Sequence, residues 1–360
     1  MSLPDVGSEV VSRRRVEEET RPQAASEPVI DMAHGAGGKA TRRLVEGLFL
    51  PLFGESCSGA TDAAALQVDG ARIAMTADSF VVRPLAFPGG TIGELAVNGT
   101  VNDLAVSGAQ PIALLATFVL EAGLPRTTLE QQARAMADAA RRAGVSIVGG
   151  DTKVVEHGKA DGLYITTAGL GRIDPRARCT AASVRPGDRV LLSGPIGDHG
   201  ITVLLARGDV DLYSDLRSDT RPVWPMVEAL IDRAGAGVRW MRDPTRGGVA
   251  TALNELARDT GLGIALFEDA VPIRDAVRGA CELLGLDPLH IANEGQFLAV
   301  IDREHADSAL AAVRATPGGE QAAIVGEIRE QPRGAVLAIA PYGAARVVDM
   351  LVGDPLPRIC

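Results

Sequence analysis

Four aspartates in the first half of the chain follow predicted strands or lie in loops. They are Asp62 in GATDAAAL, Asp78 in TADSF, Asp103 in GTVNDLA and Asp151 in VGGDTK. A single aspartate in such a place is usually a helix cap or a turn residue. Four of them beside glycine, asparagine and other small residues indicate a set of hard oxygen ligands. Such a set suits Mg²⁺ that bridges a triphosphate.

A second chemical feature is the last residue, Cys360, in the ending LPRIC. A thiol at a chain end can travel, and its thiolate is a soft nucleophile. The simpler interpretation is an incidental cysteine on a frayed end. Pro355 and Pro357 favour an extended backbone, and residues 353–360 reach up to about 25 Å. We expect residues 341–360 to form a mobile tail that carries the thiol between two pockets.

The segment TIGELAVNGTVNDLAVSGA predicts a helix with polar side chains along one face. Glu94, Asn98 and Asn102 follow each other at intervals of four residues, with Asp103 beside them. Asparagine and glycine are poor interior helix residues, so a purely structural helix would seldom contain them. A solvated polar face is the alternative interpretation.

Glycine-rich segments are candidates for phosphate binding. HGAGGK (34–39) precedes a predicted helix and offers backbone N–H groups and Lys39, although it lacks the spacing of a P-loop. RDPTRGG (242–248) places Asp243 and Arg246 just before a long predicted helix. In the simpler interpretation each segment is an ordinary capped turn.

Lysine is rare in this chain, since only Lys39, Lys153 and Lys159 are lysines among 36 basic residues. A lysine retained where arginine is the usual cation indicates a chemical role. Lys153 follows Asp151 in VGGDTK, and Glu294 occupies the turn NEG before a predicted strand.

The composition excludes several classes of partner and site. The 360 residues are 46% hydrophobic and carry a net charge of −10, which argues against nucleic acid or an anionic membrane as partner. No apolar run reaches the ~18 residues of a membrane span. The arginines of SRRRV precede acidic, proline-rich EEETRPQAASEP, so they do not open an export signal. The widely spaced cysteines disfavour zinc and disulfides and indicate the cytoplasm: Cys57, Cys179, Cys281 and Cys360.

Alternating strand and helix patterns predict an α/β (α+β) fold with two domains that meet near residue 175. Strands are expected at 71–77 and 111–120, with a helix from 129 that ends at Gly144. We expect a disordered extension at 1–28, domains at 29–172 and 173–340, and the tail at 341–360. In the second half the pattern predicts helices at 199–207, 222–234 and 247–261, and strands near 263–267, 296–301, 322–327 and 335–340.

Seven segments in this order resemble the HypE family of hydrogenase maturation proteins, within the aminoimidazole-ribonucleotide synthetase-like (PurM-like) superfamily of ATP enzymes. The resemblance runs from about His34 to Cys360, and the ending PRIC distinguishes HypE within the superfamily. One departure is Thr61, where relatives often have a second acidic residue before Asp62. The segments are HGAGGK, TADSFVVRP, FPGGTIGELAVNGTVNDLAVSGA, IVGGDTKVV, RDPTRGGVATALNE, ANEGQ and the ending from VDML to PRIC.

The resemblance implies a reaction. HypE proteins receive a carbamoyl group on the terminal thiol from the carbamoyltransferase HypF and dehydrate it with ATP to a thiocyanate. They pass cyanide to iron on a HypC–HypD scaffold of nickel–iron hydrogenase assembly. Here Cys360 would be the acceptor, with Glu294 as base and Lys153 as electrostatic partner. The fold implied is a two-domain PurM-like homodimer whose first domains pair their sheets near the nucleotide.

The resemblance also implies a site for the cofactors ATP and Mg²⁺. Asp243 and Arg246 would lie on the phosphate side or have a structural role. The segment 34–39, with Lys39, and Asn102 would close over the nucleotide. The expected ligands of magnesium and nucleotide are Asp62, Asp78, Asp103 and Asp151.

The alternatives to this reaction are another PurM-like ATP enzyme, such as selenophosphate synthetase, and a non-enzymatic scaffold, while a redox sensor is disfavoured. Selenophosphate synthetase carries its reactive cysteine or selenocysteine in the glycine-rich loop, which here reads AHGAGGKA without a cysteine, and this argues strongly against it. A non-enzymatic scaffold would show no ATP hydrolysis that depends on a carbamoylated Cys360. A redox sensor would need a resolving cysteine near Cys360, which the sequence lacks.

Overall fold

The computed structural model describes residues 29–53, 61–210, 212–353, 356 and 358–360. The predicted extension at 1–28 and Cys57 lie outside these residues. The helices are α1 (Lys39–Leu44), α2 (Leu50–Phe53), α3 (Ile92–Val106), α4 (Arg126–Ala143), α5 (Asp198–Arg207), α6 (Trp224–Ala234), α7 (Gly248–Thr260), α8 (Asp275–Leu284) and α9 (Ala306–Arg314). The strands are β1 (Ala64–Val68), β2 (Ala71–Phe80), β3 (Ala86–Phe87), β4 (Gly90–Thr91), β5 (Ala109–Glu121), β6 (Ser146–Val155), β7 (Leu163–Ile173), β8 (Arg189–Leu192), β9 (Val238–Arg242), β10 (Gly263–Phe267), β11 (Leu298–Ile301), β12 (Ala323–Arg329), β13 (Val336–Ile339) and β14 (Ala345–Val348).

The first domain contains a five-stranded sheet in the order β1-β2-β7-β5-β6, antiparallel except for the pair β5–β6. Buried and partly exposed residues alternate along β7, because helices α3 and α4 cover only one face. The uncovered face carries Leu66, Met75 and Leu115, each nearly half exposed. On the edge strand β6, Val148 and Val154 are exposed too.

The second domain contains a seven-stranded sheet in the order β14-β13-β10-β12-β8-β11-β9. Both of its faces are covered. Val190 and Leu192 of β8 pack in a core with helix α7, whereas Leu191 between them packs in a core with α6 and α9. Among the described residues, no helix has both the length and the apolar character needed to cross a bilayer.

Most predicted elements are confirmed, but the start of the predicted tail is wrong. The helix expected to end at Gly144 is α4, and Gly144 has a φ of 68°, in the left-handed region that favours glycine. Residues Ala345–Val348 form β14, which pairs antiparallel with β13. Val348 is 1% exposed in the core of the second domain, so burial of this residue fixes the strand. The sheet of the second domain therefore extends past residue 341.

Helix α3 lies between the two domains. All of its residues except Glu94 are buried. Leu104 packs in one core with Met226 and Leu230 of α6. Asn98 and Asn102 are 0% and 2% exposed, so a solvated polar face is wrong for this helix.

Asn102 ties α3 to the backbone of the second domain. Its amide nitrogen donates to the carbonyl oxygens of Arg221 and Glu294 at 2.9 and 3.0 Å. Its carbonyl oxygen accepts the N–H of Val223 at 2.8 Å. These three hydrogen bonds fix the position of the next residue, Asp103, relative to the second domain.

Replacing Asn102 tests this connection. Asn102→Ala leaves three backbone groups without their hydrogen-bond partner. Because each unpaired buried polar group costs about 1–3 kcal/mol, the substitution should lower the free energy of unfolding by about 3 kcal/mol or more. Urea denaturation followed by circular dichroism would measure it. Gln131→Ala, at an exposed position of α4, is the control and should change stability by less than about 0.5 kcal/mol. Equal effects of the two substitutions would contradict the structural role of Asn102.

Candidate functional site

A cavity of about 600 Å³ lies between the two domains. Its walls come from β2 and α3 of the first domain, and from the start of α7 and the turn at Glu294 in the second. This volume is typical of small-molecule sites. The cavity brings together these sequence-predicted residues: Asp62, Asp78, Asp103, Asp243, Arg246, Glu294 and Cys360.

Three carboxylates converge in the cavity. One oxygen from each of Asp62, Asp103 and Asp243 lies within 4.8 Å of the others. Asp243, expected only near phosphate or in a structural role, joins two of the predicted metal ligands, while Asp78 lines the same cavity. Carboxylate oxygens at this spacing fit a hard divalent cation such as Mg²⁺.

Burial and mutual repulsion raise the pKa values of these carboxyl groups. Burial is the main cause for Asp103, whose pKa is well above its usual value, and the charges of Asp78, Asp243 and Asp62 add to it. Burial also raises the pKa of Asp62 well above the usual value, although the Arg242 guanidinium acts in the opposite direction. A bound cation would relieve this repulsion, so the donor set fits a metal ion.

Arg242 is a site residue that the sequence analysis missed. Its Nε lies 2.8 Å from Asp62 Oδ1, and its Nη2 lies 3.0 Å from Glu255 Oε2. It therefore carries a positive charge from β9 of the second domain to a carboxylate of the first. The available signal was its place directly before Asp243, in a segment already considered for phosphate binding.

Glu294 is 4% exposed, and its Oε1 has no hydrogen-bond partner among the described residues. Burial raises the pKa of Glu294 well above its usual value, and the charges of Asp243 and Asp219 add to the shift. A carboxyl group with a raised pKa is suited to proton transfer near neutral pH. The Asp219 carboxylate accepts the N–H groups of Glu294 and Gly295 at 3.1 and 3.2 Å, which holds the turn in place.

Asn102 lies outside the cavity lining. Its hydrogen-bonding groups are paired with the backbone of the second domain. These contacts orient the next residue, Asp103, which does line the cavity.

Asp151 and Lys153 do not line the cavity of their own chain. Lys153 Nζ lies 2.7 Å from Asp151 Oδ2, with side chains 68% and 56% exposed. Through β5 and β7, the strand register aligns Asp151 with Ser79 of β2, three strand spacings or about 14 Å away. Asp151 and Lys153 also belong to the uncovered face of the sheet, whereas Asp78 faces the covered side. This distance keeps Asp151 and Lys153 away from Asp62, Asp78 and Asp103 of the same chain.

The two glycine-rich segments meet beside the cavity. Gly37 has a φ of 78°, and a Cβ there would lie 2.8 Å from the Cβ of Arg246, so the approach requires glycine. Arg246 Nη1 donates to the carbonyl of Gly35 at 2.7 Å. Lys39 Nζ lies 2.6 Å from Asp349 Oδ2. Lys39 is therefore paired with the segment after β14, outside the cavity lining.

Known proteins share this arrangement of two domains. Residues 60–173 match the family described as AIR synthase related protein, N-terminal domain, and residues 185–339 match the corresponding C-terminal domain. Carbamoyl dehydratase HypE of Azotobacter vinelandii is 48% identical over 332 residues, 92% of this chain and 97% of that protein. The chain belongs to the HypE family.

Solved structures of the family have the same fold. HypE in a HypE–HypF complex matches with a TM-score of 0.81 at 42% identity, over 86% of this chain and 99% of that one. HypE in complex with ATP matches with a TM-score of 0.77 at 42% identity, over 92% and 100%. The two-domain PurM-like architecture implied by the sequence resemblance is confirmed.

The cost of clustered carboxylates can be measured with Asp103→Asn. Removing this charge should raise the Tm in EDTA by about 2–4 °C, which is the shift that about 1 kcal/mol produces in a domain of 150–250 residues. Mg²⁺ should raise the Tm of the wild type and have little effect on the variant. Asp138→Asn, on the exposed side of α4, is the control and should keep the response to Mg²⁺. A lower Tm of Asp103→Asn in EDTA would contradict an electrostatic cost.

Proposed function

We propose that this chain is an ATP-dependent carbamoyl dehydratase of nickel–iron hydrogenase maturation that carries its substrate on the thiol of Cys360. The observation that supports this most directly is the presence of Cys360 in one cavity with the carboxylate cluster and Glu294. The names of the relatives and the HypE structure with bound ATP support the same reaction.

In this reaction HypF transfers a carbamoyl group to the sulfur of Cys360. The carbamoyl oxygen attacks the γ-phosphate of ATP and releases ADP, because oxygen leaves poorly as hydroxide and well as phosphate. The nitrogen loses one proton as the C=N bond forms, and a second proton as phosphate departs and the C≡N bond is completed. The products are ADP, phosphate and a protein thiocyanate, whose cyanide passes to iron on HypC–HypD. We place this reaction in the cytoplasm, where thiols stay reduced.

The cavity residues have distinct roles in this proposal. Glu294 takes up the first proton from the carbamoyl nitrogen, and the departing phosphate takes up the second. The burial and raised pKa of Glu294, which make its carboxylate a stronger base, support this role. Asp62, Asp103 and Asp243 would hold Mg²⁺, which supplies positive charge to the phosphate groups of ATP. Arg246, just before the N-terminus of α7, adds a cation on the phosphate side.

The active form in this proposal is a homodimer whose first domains pair. The uncovered sheet face and strand β6 expose apolar side chains, whereas the sheet of the second domain is covered on both faces. A second copy on this face would cover the apolar side chains. It would also bring Asp151 and Lys153 of one chain toward the cavity of the other, where they can act on nucleotide and carbamoyl group.

Mixing two inactive variants tests the shared site. Lys153→Ala and Glu294→Gln should each slow dehydration by about 10²-fold or more, because each removes a group that acts on the carbamoyl. In an equal mixture, half of the dimers are mixed and one of their two sites is intact, so about a quarter of wild-type activity should return. A mixture of Lys153→Ala with the Lys153→Ala, Glu294→Gln double variant contains no intact site and is the control. No recovery in the first mixture would argue against a shared site.

The mass of the intact protein reports which chemical group is bound to Cys360. After incubation with HypF and its carbamoyl donor, we expect the mass to rise by one carbamoyl group. After removal of HypF, ATP should lower the mass by one water, and a non-hydrolysable analogue should not. Cys360→Ala should stay unmodified throughout. ATP hydrolysis that is absent, or independent of a carbamoylated Cys360, would favour the non-enzymatic scaffold.

A further inference from the structure

The tail segment, which is Leu356 together with residues 358–360, is bound to the first domain. Leu356 and Ile359 are 4% and 2% exposed and pack in the same core as Phe80 and Phe87. Just past β2, the N–H of Val81 donates to the main-chain oxygen of Cys360 at 3.1 Å. These contacts hold the segment while Cys360 lies in the cavity lining.

Arg358 has a φ of 58°, a left-handed conformation that a residue other than glycine adopts only when its surroundings hold it. Its Nε and Nη2 donate to the carbonyl of Val81 at 3.2 and 3.1 Å, and its guanidinium also pairs with Asp161. Its own carbonyl accepts a hydrogen bond from Arg207. The tail segment is therefore fixed from both its side chains and its backbone.

His199, the second residue of α5, contacts the tail segment from the second domain. It is 0% exposed, and its Nε2 lies 3.0 Å from the carbonyl oxygen of Ile359. Because a carbonyl only accepts, Nε2 carries the hydrogen, and Nδ1 accepts from the Ser218 hydroxyl at 2.8 Å. Burial lowers the pKa of His199 to about 4, which keeps the ring neutral. The Phe87 ring packs edge-on against the imidazole.

We propose that His199 is a positioning residue that fixes Cys360 in the cavity through its hydrogen bond to the Ile359 carbonyl. This rests on the proposed function, in which the thiol must leave the cavity to meet a transferase and then return. When the tail segment leaves, the Nε2–H group loses its acceptor inside a buried site, and Leu356 and Ile359 lose their apolar contacts. His199 therefore biases the tail segment toward the cavity, and the transferase must offer compensating contacts.

The loop that orients His199 also holds the proposed base. Ser218 hydrogen-bonds the imidazole, and the next residue, Asp219, accepts the N–H groups of Glu294 and Gly295. The N–H of Ser218 donates to the carbonyl of Pro88, which anchors the loop on the first domain. The loop at Ser218 and Asp219 therefore contacts both His199, which holds the tail segment, and the turn that carries Glu294.

Alkylation of Cys360 tests the proposal without the reaction. His199→Phe keeps an aromatic ring and removes the donor, so iodoacetamide should modify Cys360 about 5- to 10-fold faster, as the loss of one hydrogen bond predicts. Mass spectrometry of the peptide that contains Cys360 measures the rate. His199→Gln, which can donate to the same carbonyl, should stay within about twofold of wild type. His305→Phe is the matched control and should not change the rate, because His305 precedes α9 and its ring pairs with Asp302.

Comparing the two half-reactions separates positioning from a general structural role. HypF transfers carbamoyl to the thiol while the tail segment is outside the cavity. The His199→Phe variant should therefore accept carbamoyl at the wild-type rate or faster. Dehydration in a single turnover of the carbamoylated protein needs the segment inside and should be about tenfold slower. His199→Gln should recover most of this loss.

Equal alkylation rates and equal single-turnover rates in wild type and His199→Phe would overturn the proposal. If His199→Phe does not fold, His199→Asn replaces it, because asparagine can keep the Ser218 contact and is too short to reach Ile359. Unchanged rates in that variant would overturn the proposal equally. The alkylation experiment uses neither ATP nor HypF. A wild-type protein without dehydratase activity would refute the proposed function, and alkylation would still decide the role of His199.

Discussion

The burial of helix α3 between the two domains is the constraint on which the site depends. Asn102 holds the helix to the backbone of the second domain with three hydrogen bonds, and the next residue, Asp103, is thereby placed beside Asp243. Carboxylates are costly to bury close together, as the raised pKa values of this cluster show. The apolar packing of α3 against both domains offsets that cost and keeps the carboxylates in place for a ligand.

The sequence carried local signals for much of this arrangement. Asparagines inside an apolar helix indicated that α3 is not an ordinary surface helix. Asp62 directly follows a threonine, and Asp103 and Glu294 directly follow asparagines. Hydrophobic periodicity was sufficient to place most strands and helices, because each strand or helix carries its own pattern. The PRIC ending marked Cys360, which lines the cavity.

Other features depend on contacts between distant parts of the chain, which a local pattern does not record. Arg242 pairs with Asp62 only because the folded chain packs the two domains together. His199 gave no signal, because a buried histidine at the start of a helix has no sequence signature of its own. The VGGDTK segment, with one of the three lysines, did indicate a chemical role for Asp151 and Lys153. The strand order nevertheless places both residues on the far edge of the sheet, away from the carboxylate cluster.

The carboxylate cluster draws its members from both domains, since Asp62 and Asp103 belong to the first and Asp243 to the second. A chain leaving the ribosome completes its amino-terminal domain first. At that stage the chain holds two of the three clustered carboxylates, and it lacks both Asp243 and its neighbour Arg242. The carboxylate cluster is therefore complete only after both domains have been synthesised.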